Sequence, residues 1–113
     1  MLQTIIEAIA AIPNVRAVYH DYAPELSTPP YVVVQLVGGG GNQFIDTQTA
    51  GGYERRLQVA VWANERAQAM QISGQIEQKL LELPRVAADS AGTSDHDYEV
   101  NLRGMRQDFM FIS

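Results

Sequence analysis

The stretch YERRLQVAVWANERAQAMQISGQIEQKLLEL, residues 53–83, changes its period halfway, and that change decides the fold. From Tyr53 to Ala63 the side chains alternate: Leu57, Val59 and Val61 fall on one face, and Glu54, Arg56, Gln58, Ala60 and Trp62 on the other. A strand with one aliphatic row is predicted, its other face mixed and closing on Trp62. Asn64 then offers a short polar side chain suited to capping a helix, and Glu65 follows where a negative charge suits the helix dipole. Ala69, Ile72, Ile76, Leu80 and Leu83 recur at steps of three and four, which predicts a helix with one apolar stripe. Pro84 ends it, because the residue before a proline avoids helical geometry. A strand and a helix joined with so little loop fold back on each other, so the stripe covers the aliphatic row.

Outward from this unit, Leu2, Ile5, Ile9 and Ile12, widened by Ile6, predict a first amphipathic helix. Thr4 and Glu7 have the spacing of a capping box, or the helix starts at the terminus. Val15–Tyr19 reads as a short strand, and the proline-bearing residues 20–30 as a loop. Tyr31–Val37, apolar on both faces except at Gln35, suits a central strand. Residues 38–52, opened by four glycines and closed by Gly51 and Gly52, read as a long flexible loop at a hairpin tip. Val86–Ala88 reads as a brief strand and residues 89–97 as a polar loop. From Tyr98 the alternation returns, and its face changes parity at Gly104, which predicts a bulge or turn there. Helices clustered on a mostly antiparallel sheet make a single α+β domain over residues 1–113, a two-layer sandwich with two helices packed on the sheet.

The 113 residues carry a net charge of −5, with Lys79 the only lysine beside seven arginines. No basic cluster of the kind that displaces counterions from a duplex is visible, so specific nucleic-acid binding is not expected. There is no cysteine, which excludes disulfides, thiolate metal sites and a cysteine nucleophile. No basic residue precedes Arg16, so a secretory signal is not expected, and no apolar run approaches the ~18 residues of a membrane span.

Signs of catalysis are weak. His20-Asp21 and Asp95-His96-Asp97 set histidine beside carboxylate, but in predicted loops with no spacing to orient them. The Gly38–Gly41 run lacks the lysine and following helix of a phosphate loop, and Ser27, Ser73, Ser90, Ser94 and Ser113 sit in no nucleophile elbow. No enzyme, metal or cofactor is expected. Two other features stand out. Phe44, Ile45 and Asp46 lie within the glycine-bracketed segment as a candidate contact with a partner. Ala67, Met70, Gly74 and Leu81, opposite the core stripe of the second helix, are one candidate subunit-interface patch, and the Trp62 face of the sheet is another.

Pro30-Tyr31-Val32-Val33, the long glycine-bearing gap, the run Arg56 to Trp62, an alanine-containing helix and a closing Gln107-Asp108-Phe109 strand together resemble the tail terminator, or tail-completion, proteins of long-tailed bacteriophages. The resemblance covers Leu2 to Ile112; Ala60 departs from it, standing where members carry a polar residue. It implies a non-enzymatic ring, usually a hexamer, that caps the tail tube, ends its polymerisation and presents the surface that joins the head. The implied partners are further copies of the chain, the tail tube protein and a head–neck connector protein, with no membrane. The implied location is the host cytoplasm during assembly and then the virion tail. Alternatives are a head-completion or neck protein, a dimeric small-ligand binding module and, further off, a hydrolase using the histidine–aspartate pairs.

Overall fold

The computed structural model describes residues 2–37, 47–49 and 52–112. Among them lie α1 (Leu2–Ala10), β1 (Ala17–His20), β2 (Tyr31–Leu36), β3 (Thr47–Thr49), β4 (Gly52–Ala63), α2 (Arg66–Leu81), β5 (Val86–Ala88), β6 (Thr93–Asp97) and β7 (Leu102–Ile112). The strands form one sheet in the order β1-β2-β4-β7-β5, with β3 also pairing with β4 and β6 with β7. Every pair is antiparallel except β1 with β2. Both helices cover the same face, which gives the expected α+β two-layer arrangement.

Residues opposite one another in a sheet share a face, so the register identifies both layers. Leu57, Val59 and Val61 align with Leu36, Val34 and Val32 on one side and with Phe109, Gln107 and Met105 on the other. This is the covered face, and its aliphatic row is packed under Ile5 and Ile9 of α1 and Ile72, Ile76 and Leu80 of α2. The predicted stripe and the predicted row do meet. Burying side chains of this size contributes about 1.5–3 kcal/mol each, which makes this seam the main source of stability. Two polar residues are buried beside it, Ser73 of α2 and Gln107, and Gln107 donates to Glu77 of α2 at 2.7 Å and to the Ser90 carbonyl at 2.8 Å. The opposite face, with Tyr31, Val33, Ala60, Trp62, Gly104 and Arg106, carries no helix among the described residues.

Several local expectations need correction. Asn64 does not cap α2: the N-cap is Glu65, in extended conformation and without a side-chain cap bond. The helix start is tied down instead by Arg66, whose guanidinium donates to the Gly104 carbonyl and, at 2.7 Å, to the Asp95 carbonyl. α2 ends at Leu81 rather than Leu83, closed by tight bonds from the Glu82 and Leu83 amides to the Lys79 and Leu80 carbonyls. Leu83 still packs on the core. α1 begins at Leu2, so Thr4 and Glu7 lie inside the helix and form no capping box. Thr47–Thr49, read as loop, is a strand on the start of β4, and Gly52 is already within β4. Thr93–Asp97, also read as loop, is a strand on β7. The register of β7 runs unbroken through Gly104 against both β4 and β6, so there is no bulge or turn at that position. The parity change arises because β7 buries residues on both faces: Phe109 and Phe111 under the helices, Leu102 and Gly104 on the other side.

Candidate functional site

Gly104 explains the helix-free face. A Cβ built there would lie 2.7 Å from Cζ3 and 2.9 Å from Cε3 of Trp62, so the indole rests directly on the β7 backbone. Only glycine leaves room for this contact. Trp62 is therefore held against the sheet yet only half-buried, less covered than a core tryptophan. Beside it on β2 is Tyr31, whose ring meets that of Tyr19 on β1 edge to face at 5.8 Å. Burial, then the charge of Asp97 and then Tyr19, push the Tyr31 hydroxyl above its ordinary pKa. Three aromatic side chains, each half-buried, thus cross one end of the open face from β1 to β4. On the same face, Arg106 pairs with Asp95 at 2.5 Å beside them, and Arg56 pairs with Asp89 at 3.1 Å towards the other end of β4.

The second surface lies on the opposite side of the molecule. Ala67, Met70, Gly74 and Leu81 are all exposed, Met70 by 54% and Leu81 by 46%. Nothing stands within 4 Å of where a Gly74 Cβ would be. From Ala67 to Gln78 the exposed residues are Ala67, Met70, Gln71, Gly74 and Gln78, none of them charged. A helix face turned permanently to water normally carries charge, whereas depletion of charge marks the centre of protein interfaces. Trp62 and the α2 stripe are not one patch: they sit on the two broad sides of the domain.

Phe44, Ile45 and Asp46 lie outside the described residues. The two histidines are on opposite edges of the sheet, His20 on β1 and His96 on β6, so they cannot act together. His20 is beside Asp21 at 3.6 Å, and His96 meets the Tyr98 ring edge to face at 4.2 Å and contacts Asn101 at 3.1 Å. Among the described residues no group of three histidine, cysteine or acidic side chains is placed to hold a metal ion. No described helix is long and apolar enough to cross a membrane. A groove of about 300 Å³ between the ends of α1 and α2, walled by Ile12 and Pro13 and by the polar Gln75, Gln78, Lys79 and Glu82, is open to solvent.

Sequence reading missed three things at these surfaces. The Arg66 tie was invisible because its acceptors are backbone carbonyls nearly thirty or more residues away. The flat seat at Gly104 needed the register of β4 against β7 to be known. The exposure of Tyr22, Leu26, Tyr98 and Val100, apolar residues outside the strands and helices, has no periodic signal to betray it.

Comparison with known proteins bears on what these surfaces serve. The family model described as Tail completion protein gp17 matches residues 3–111. A chain from the virion of a native gene transfer agent (GTA) particle is similar over 96% of this chain and 90% of its own, at 13% identity and a TM-score of 0.65. At that identity the likeness is one of fold. No curated protein matches. The family match runs from α1 to the last residues of β7, and the chain accordingly belongs to the tail completion protein gp17 family, as a structural protein of a phage-type tail.

Proposed function

We propose that the chain assembles into a homo-oligomeric ring, a hexamer as in the family it resembles, that caps the tail tube. The ring ends tube polymerisation and offers its far side to a head–neck connector protein. It forms in the host cytoplasm during assembly and remains in the virion tail. The observation that carries this reading is the pair of dissimilar patches on opposite sides of one thin domain. A rotational ring needs two different surfaces per subunit, because each copy meets its neighbours head to tail. The uncharged outer stripe of α2, with Ala67, Met70, Gly74 and Leu81, is proposed as one subunit contact. The half-buried Trp62 side is proposed as another. Phe44, Ile45 and Asp46 are proposed to contact the tail tube protein. Val37 and Thr47, which flank that segment, lie at the end of the sheet away from the β6–β7 turn, on Arg56 and Glu54. An acidic chain of net charge −5 also suits a collar through which DNA passes without being gripped.

Polymerisation of the cognate tail tube protein tests the role. Tubes grown with the folded chain present should stop at finite length, and tubes grown without it should run on. Equal length distributions with and without the chain would remove the capping function.

A further inference from the structure

The ring reading leaves open how neighbours align, and the two edges of the sheet carry features that match at the same levels. β1 forms one edge, while β5 and β6 lie side by side along the other, both on β7. β5 and β6 run antiparallel to β7 and therefore parallel to β4; β1, parallel to β2, runs the opposite way. A copy carried around a ring axis without inversion thus brings β1 antiparallel to the β5–β6 edge of its neighbour.

At the level of Trp62 the register runs from Ala17 through Tyr31, Trp62 and Gly104 to Asp95. Just beyond Ala17 is Arg16, exposed and with no ion-pair partner among the described residues. Just beyond Asp95, on the opposite edge, are Asp97 and Glu99, likewise without an ion-pair partner among the described residues. At the lower level the chain leaves β1 at Asp21, whose amide donates to the Val34 carbonyl and whose φ is 78°. Tyr22 follows, 75% exposed, and the same loop carries Leu26 at 97%. Across the sheet at that level β5 borders a mostly apolar groove of about 200 Å³ walled by Val86, Ala87, Met110 and Ile112, with Glu54 and Arg85 also lining it. β5 itself is Val-Ala-Ala, without the charge that guards β6 and that commonly keeps an edge strand from pairing.

We infer that the subunits join edge to edge through the sheet, a contact that takes the place of the Trp62 side as the second subunit contact. In this contact Arg16 of one copy faces Asp97 and Glu99 of the next, while Tyr22 and Leu26 enter the groove beside β5. The occupant is a second copy of this chain because both halves of the match, Arg16 with the projecting Tyr22 and Leu26, and Asp97 and Glu99 with the groove, lie on opposite edges of the same subunit. α2 lies over β4, β7 and β5, so its uncharged outer stripe stands beside the same edge and extends the contact.

Charge reversal on the purified full chain tests this, read by sedimentation under conditions where the wild type forms rings. Arg16→Glu and Glu99→Arg should each raise the concentration needed for assembly roughly tenfold or more, since each sets like charges opposite one another. Combining both in one chain should restore assembly to near the wild-type concentration. Mixing the two single variants should also restore it, which shows that each is folded. Tyr22→Ser with Leu26→Ser should lose rings while keeping wild-type circular dichroism. Wild-type rings unaffected by every variant, or single losses that the combination does not repair, would overturn the edge contact. A wild type that never exceeds monomer mass would instead overturn the ring reading beneath it.

Discussion

Gly104→Ala offers a sharp test of the open face because its cost is assigned to one neighbour. The added methyl would meet three atoms of the Trp62 ring at 2.7, 2.9 and 3.0 Å, so the indole must lift or β7 must shift. Forcing an extra methyl group into such a contact typically costs about 1–3 kcal/mol. Against this, replacing a strand glycine by alanine recovers about 0.5–1 kcal/mol of backbone entropy. A net loss of roughly 0–2.5 kcal/mol follows for the wild-type background. With Trp62→Ala already in place there is nothing to strike, and Gly104→Ala should then be neutral or stabilising by up to about 1 kcal/mol. The two substitutions should therefore couple by about 1–3 kcal/mol in a double-mutant cycle. Urea unfolding followed by circular dichroism gives the four stabilities. Trp62 is the only tryptophan, so its emission reports the displaced ring directly and should shift to the red in Gly104→Ala. The same cost for Gly104→Ala in both backgrounds, with emission unmoved, would refute the account of how Trp62 is held.

Other expectations follow from single positions. Gly74 faces open space within a helix, so Gly74→Ala should stabilise the isolated chain by about 1 kcal/mol. Gly74→Arg should leave a folded monomer with normal circular dichroism that forms no rings in sedimentation. Arg66→Met keeps the alkyl stem but loses the bonds to the Gly104 and Asp95 carbonyls, and should cost about 1.5–3 kcal/mol in urea unfolding. Tyr31 has a folded pKa raised above its ordinary 10.0, so the unfolded chain gives up this proton first. Its contribution is present below pH 10.0 and is lost as pH rises through the folded value. Denaturation midpoints should fall on the alkaline side, and Tyr31→Phe should flatten that fall.

The sequence was most legible where one side chain in two or in three to four is buried against a single layer. Leu57, Val59 and Val61 alternate, Ile72, Ile76 and Leu80 recur at helical steps, and these six residues alone place β4 under α2. Legibility failed where pairing rather than burial makes the strand. Thr93–Asp97 is a polar edge held by β7, and its exposed side chains carry no apolar period. It failed again at Gly104, where a residue on the helix-free face is buried by a tryptophan forty-two positions away, and the resulting change of parity resembled a bulge. The start of α2 was misplaced by one residue because a long-range arginine, rather than a local cap, anchors it. Of the candidate surfaces, the α2 stripe was readable from spacing, but the complementary edges of the sheet were not. They depend on strand order, which no local pattern encodes.

The chain is proposed to work as a closed ring. Native mass spectrometry of the species recovered from tail-tube ends measures that directly. A ring should appear as one discrete multiple of the 12.5 kDa monomer, several-fold above it and at the sixfold value in the family's usual form. A monomer or dimer bound at the tube end, with no larger species, would contradict it.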